Sequence, residues 1–210
     1  MALVAKPPSR IAFFCDVPAP SGGETSILLS TALYRRFGAV RPAFVERLHA
    51  EGLLYHRVLS EQDDPSSAQG RGWRSTYNAA DRDTCEAAMR ATGVQAWTWL
   101  PGGSLRTTTG PLPAFKVDER TGEFVFFNAL AAVFIGWTDK RNQGPESVRY
   151  GLTGDALDAA DVYAVRDVMS EIAVDIPWQH GDVMLLDNTR AMHARRPFTP
   201  PRRTLAYLCL

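Results

Sequence analysis

The stretch GDVMLLDNTRAMHARRPFTPPRR, Gly181 to Arg203, decides the reading of this chain. An apolar run, Val183 to Leu186, leads into Asp187 and Asn188, and a single histidine, His193, follows. Arg195 and Arg196 come next; Arg202 and Arg203 open the last apolar run, TLAYLCL. Such short apolar runs bounded by turn formers read as buried strands. If the strand ending at Asp187 pairs with the final one, Arg202 and Arg203 return to the neighbourhood of His193. Neutral imidazole is the commonest protein ligand for a metal. A guanidinium offers a planar fork that grips a carboxylate at two points. Together these types point to a metal with a carboxylate-bearing ligand beside it. The competing reading is a structural histidine followed by a solvated basic turn.

Working outward, RIAFFCDV reads as another buried strand, broken by PAPSGGET. In SGGET, Ser21 to Thr25, two glycines let backbone approach a ligand closely, and Glu24 and Thr25 add a carboxylate and a hydroxyl. A plain turn is the bland alternative. SILLSTALYRRF reads as a helix capped by Ser30 or Thr31 and ending near Gly38. RPAFVERLHAEG is a second helix, with Pro42 in its first turn and Gly52 beyond its end. DRDTCEAAMRATG and DAADVYAVRDVMSEIA are further helices. LLYHRVL, VQAWTWL, SLRTTTG, AFKVD and EFVFFN read as strands, several separated by tight turns, which predicts antiparallel hairpins in a sandwich or barrel. Two polar segments, 61–81 and 138–147, read as loops, the first as a mobile cover for a site. The fold class is thus mainly β with peripheral helices, an α+β chain forming a single domain over 1–210. His49, His56 and His180 fall on a helix, in a strand and in a loop, and none is assigned a ligand role.

The chain has 210 residues and is 45% hydrophobic, enough for one sizeable core. Lys and Arg together number 23, as do Asp and Glu, so no basic excess favours nucleic acid or a membrane surface. Cys15, Cys85 and Cys209 are far apart and odd in number, which argues against a disulfide framework and favours a reducing cytoplasm. No Walker sequence, nucleotide-binding glycine motif or G-x-S-x-G occurs.

Three segments in order, FFCDVPAPSGGETSILLS, FVFFNALAAVFIGW and PWQHGDVMLLDNTRAMHARRPFTPPRRTLAYL, resemble the clavaminate-synthase-like branch of the TauD/TfdA dioxygenases. The resemblance spans nearly the whole chain and is most specific in the last segment. It implies a double-stranded β-helix, Fe(II) held by two histidines and a carboxylate, and 2-oxoglutarate as cosubstrate. It implies oxidation of a small molecule, or of an amino acid held on a carrier protein, with 2-oxoglutarate converted to succinate and carbon dioxide. His193 resembles the family's distal iron-binding histidine. Arg203 resembles the arginine that clamps the far carboxylate of 2-oxoglutarate, with Arg202 as the adjacent alternative. Thr25 matches a threonine that helps bind the cosubstrate, and Asn188 and Asp187 are expected to orient the strand end near His193. The family's H-x-D or H-x-E pair lies shortly before the strand matching IAFFCDV. The expectation is therefore an N-terminally truncated member whose other two ligands lie upstream of Met1. Such a chain would bind iron weakly, and its unpaired sheet edge would favour a homo-oligomer. The alternative is a non-catalytic binding or scaffold protein on a degenerate version of the fold.

Overall fold

A computed structural model describes residues 7–67 and 69–209. Twelve strands and six α-helices occur among them, an α+β architecture. In β1 (Arg10–Val17) the side chains alternate: Ile11 and Cys15 are buried while Phe14 turns outward. β1 is the centre of an antiparallel sheet, between β10 (Val183–Asp187) and β12 (Arg203–Cys209). β2 (Thr25–Leu29) is the centre of a second sheet, between β11 (Ala191–Arg195) and β9 (Val174–Ile176). The Phe13 ring of β1 meets the His193 ring of β11 edge-on, centroids 5.2 Å apart, so the two sheets face each other there.

This differs from the expected pairing of the strand ending at Asp187 with the last strand. Both pair with β1 instead, and His193 lies on a strand of its own in the other sheet. The turn after β10 is the cause. The Asp187 carboxylate accepts from the backbone N–H groups of Thr189 (3.1 Å) and Arg190 (3.2 Å), which swings the chain across to β2.

α1 (Ser30–Val40) follows β2 without a break, so Leu29 occupies the cap position and no side chain caps the helix. The Ser30 amide donates to the Arg190 carbonyl at 2.8 Å instead, because strand pairing already fixes the backbone there. α2 (Pro42–Glu51) has Pro42 in its first turn, and Gly52 ends it with φ +63°. α4 (Arg82–Thr92) is opened by a reciprocal cap between Asp81 and Thr84 and closed by left-handed Gly93. α6 (Ala159–Ile172) starts at Asp158, which accepts from the Ala160 amide. α5 (Leu130–Gly136) escaped the pattern reading. LAAVFIG is apolar on every side, exposed Ile135 included, so it shows no helical period.

Leu33, Phe37, Phe44, Leu130, Val162 and Val165 from these helices form the main core, onto which Leu28 of β2 and Met192 of β11 pack. The second sheet is therefore covered on its outer face. The outer face of the first sheet is not: Phe14, Val183, Leu185, Leu205 and Tyr207 stand exposed on it. β10 and β12 are the edges of the first sheet, and β11 and β9 those of the second.

The hairpins read from the sequence form separate sheets. β3 (Leu53–Leu59), β4 (Val94–Trp99), β5 (Leu105–Leu112) and β8 (Val148–Tyr150) make a four-stranded antiparallel sheet. β6 (Phe115–Val117) and β7 (Phe124–Phe126) make a ribbon. The polar segment 61–81 contains α3 (Trp73–Tyr77), whose Trp73 is 2% exposed and packs against Trp99. Arg141 reaches Asp64 at 3.0 Å and Ser67 donates to Asp139 at 2.9 Å, so the two polar loops are fastened to each other. Neither contributes a residue to the cavities at His193. No helix among the described residues is long and apolar enough to cross a membrane.

Candidate functional site

The glycine-rich and arginine-rich motifs, more than 150 residues apart, are zipped together by their backbones. The Gly23 amide donates to the Pro197 carbonyl at 2.9 Å, Thr199 to Ser21 at 2.9 Å, and Arg196 to Glu24 at 3.0 Å. Gly22 and Gly23 both have positive φ, +71° and +78°. A Cβ on Gly22 would lie 2.3 Å from the Pro197 carbonyl oxygen, and one on Gly23 would lie 2.9 Å from Arg202 Nε. Close approach, with a left-handed backbone, is why glycine stands at both positions.

Thr25 is opposite Arg195 and Ile27 is opposite His193, so Thr25, Arg195 and His193 share the inner face of the second sheet. Thr25 is 6% exposed, and its Oγ1 accepts a hydrogen bond from Trp178 Nε1 at 2.9 Å. His193 Nδ1 is buried and has no partner among the described residues. Burial holds the imidazole below its ordinary pKa and so keeps it neutral, the form that binds metals. A cavity of about 240 Å³ beside β11 is lined by Asn128, Met169, Asn188, Met192 and His193.

The two candidate arginines point in opposite directions. Along β12, Arg203 shares its side of the strand with Leu205 and Tyr207, on the outer face. There it pairs with Asp16 and is 67% exposed. Arg202 turns the other way. Its Nε donates to the Gly23 carbonyl at 3.1 Å, its guanidinium lies 5.6 Å over the Phe198 ring, and it has no acidic partner among the described residues. Burial, and Arg195 beside it, lower its pKa from the usual arginine value. Arg195 also lies over Phe198, at 4.8 Å, so two cations flank one ring. Arg196 is spent on Asp175 at 3.0 Å. Asn188 is buried and donates to the Pro8 carbonyl at 2.8 Å, while Asp187 pairs with Arg120 at 2.7 Å; both hold the turn that delivers β11.

Sequence reasoning missed Arg195 and Trp178; the aromatic–threonine pairing across 153 residues leaves no local signal. It also passed over two H-x-D/E triplets, His49–Glu51 and His180–Asp182. The structure gives neither to the site. His49 packs between Phe115 and Phe124, and Glu51 is held by Arg47 and Thr153. The His180 Nδ1 lies 2.7 Å from the Asp16 carbonyl, and Asp182 accepts from the Gln179 amide. Among the described residues no group of three His, Cys, Asp or Glu side chains is placed to hold a metal ion. The described residues do not close a three-ligand iron site.

Residues 2–209 match the family model described as taurine catabolism dioxygenase TauD, TfdA family. A clavaminate synthase-like protein of Arabidopsis thaliana is 44% identical over 209 residues, covering 100% of this chain and 63% of that protein. The dapdiamide synthesis protein DdaC of Enterobacter agglomerans is 24% identical over 207 residues, 93% of this chain and 59% of the relative. The chain thus spans about six-tenths of the length of these curated relatives. A solved asparagine oxygenase, in complex with Fe(II), 2S,3S-3-hydroxyasparagine and succinate, shares the fold with a TM-score of 0.54 at 13% identity. That likeness covers 100% of this chain and 47% of the oxygenase. The matched span contains both facing sheets and both zipped motifs, and the chain belongs to the TauD/TfdA dioxygenase family.

Proposed function

We propose that this chain carries the cosubstrate-binding part of an Fe(II)/2-oxoglutarate-dependent oxygenase, built on the two facing sheets as part of a double-stranded β-helix. The reading is supported by Thr25 and His193 sharing one sheet face and by Arg202 turning toward Gly23, two residues before Thr25, while Arg203 faces solvent with Asp16. Arg202 takes the far carboxylate of 2-oxoglutarate, since its charge is partly desolvated and unopposed. Thr25 adds a donor: its oxygen already accepts from Trp178, which leaves its own O–H free for a carboxylate. Iron, when bound, supplies the oxidising power. Among the described residues only His193 is offered to it.

The substrate class is a small molecule or a carrier-bound amino acid in specialised metabolism. Its support is the relative named for dapdiamide synthesis. Calorimetric titration with 2-oxoglutarate tests the clamp. Arg202→Ala weakens binding at least tenfold and Arg203→Ala changes it less than twofold. The reverse pattern transfers the role to Arg203, and wild-type affinity in both variants refutes the site. A second reading is a binding protein without turnover. It predicts 2-oxoglutarate binding with no succinate formed when Fe(II) is supplied.

A further inference from the structure

We infer that the cavity beneath the four-stranded sheet is a binding site for a small organic monocarboxylate, anchored by Arg57. Six buried side-chain atoms lack a hydrogen-bond partner among the described residues, and two of them, Arg57 Nε and Thr76 Oγ1, belong to residues lining this cavity of about 250 Å³. Arg57 projects from β3, beside Thr107 of β5, with its guanidinium 5.4 Å from the Trp137 ring centroid. Its Nη2 donates to the backbone carbonyls of Gln69 (3.0 Å) and Arg71 (3.4 Å). Those dipoles place the group but do not neutralise it. No carboxylate pairs with it among the described residues, and Asp139 is committed to Arg141 at 3.0 Å and Ser67 at 2.9 Å.

Arginine cannot shed its proton in a protein, so a half-buried guanidinium without a counter-charge, its Nε enclosed, carries a desolvation cost. Water can satisfy the free N–H but not the charge. The rest of the lining fits an oxyanion. Thr76, Tyr77 and Thr109 bring hydroxyls to the lining, Leu59 and Val94 are apolar, and no acidic residue lines the space. One cation matches one negative charge, which favours a monocarboxylate over a phosphate dianion. The volume lies below the roughly 300–1,000 Å³ of drug-sized sites, so the occupant is a small metabolite. None of its lining residues lines the cavities at His193. The two regions are joined by one hydrogen bond: Tyr55, in this lining, donates its O–H to Asn128, which lines the His193 cavity.

The test is calorimetry of the 210-residue chain with acetate, propionate, butyrate and inorganic phosphate at constant ionic strength. At least one monocarboxylate binds at a single site with a Kd in the millimolar range or tighter. That binding persists in Arg202→Ala, which separates it from the cosubstrate site, and weakens at least tenfold in Arg57→Met. Thr76→Val, which leaves the buried charge in place, weakens it severalfold and serves if Arg57→Met does not fold. Absence of monocarboxylate binding overturns the inference. So does tighter binding of phosphate, loss of binding in Arg202→Ala, or unchanged affinity in both cavity variants.

Discussion

Replacing Gly23 by alanine perturbs the backbone and the site at once, and the two effects can be separated. Gly23 has φ +78°, a conformation that costs an L-residue roughly 1–2 kcal/mol. The new Cβ would also lie 2.9 Å from Arg202 Nε, 3.0 Å from its Cδ and 3.1 Å from Ala19 Cβ, closer than carbon tolerates. Arg202 must therefore move and surrender its 3.1 Å hydrogen bond to the Gly23 carbonyl, a further loss of about 1 kcal/mol. The sum is about 2–3 kcal/mol, and for a chain of this size each kcal/mol lowers Tm by roughly 2–4 °C. Gly93 is the control. It has φ +80°, yet nothing lies within 4 Å of an added Cβ, so Gly93→Ala carries the backbone cost alone. Thermal unfolding by circular dichroism should rank Gly23→Ala below Gly93→Ala, with both below the wild type. In calorimetry Gly23→Ala should bind 2-oxoglutarate at least tenfold more weakly, and Gly93→Ala like the wild type. Equal Tm losses with 2-oxoglutarate affinity intact in both variants would refute the claim that Gly23 makes room for the clamp.

Two further outcomes follow from features remote from the site. Arg47 (2.6 Å) and Thr153 hold the Glu51 carboxyl at about 2, down from 4.5, so its ionised form stabilises the folded chain. That contribution is complete above pH 4.5 and is lost as pH falls through about 2; in Glu51→Gln this part of the acid limb should disappear from urea midpoints measured against pH. An unchanged acid limb would show that the pair contributes nothing. Trp73, 2% exposed, packs on Trp99 and donates from Nε1 to the Gly103 carbonyl at 3.0 Å. Trp73→Ala should cost about 3–5 kcal/mol in urea unfolding and leave 2-oxoglutarate affinity unchanged. A cost below about 1 kcal/mol would mean that the segment 61–81 is not anchored as described.

Local signals carried much of the fold. Pro42 and Gly52 bracket a helix, Asp81 and Gly93 bracket another, and turn-separated apolar runs become antiparallel strands, because caps and turns are satisfied by near neighbours. The misses have two causes. β11 and β9 are short and gain their order from pairing with β2, which lies far away in sequence. α5 is apolar on every side, exposed Ile135 included, and so has no amphipathic period.

By itself the amino-acid sequence determined the candidate inventory: one histidine after an apolar strand, two glycines before a threonine, and an arginine pair opening the last strand. That inventory also carried the family resemblance, since residue type and order survive without coordinates. Which arginine faces inward was decided only by tertiary structure. Adjacent residues entering a strand project to opposite sides, and the zipping of Gly23 against Pro197 set the side that Arg202 takes. Tertiary structure likewise decided that His49–Glu51 and His180–Asp182 lie elsewhere, and that the Arg57 Nε is enclosed without a partner among the described residues. Such facts depend on which distant strands and loops surround a side chain, and no local pattern encodes that.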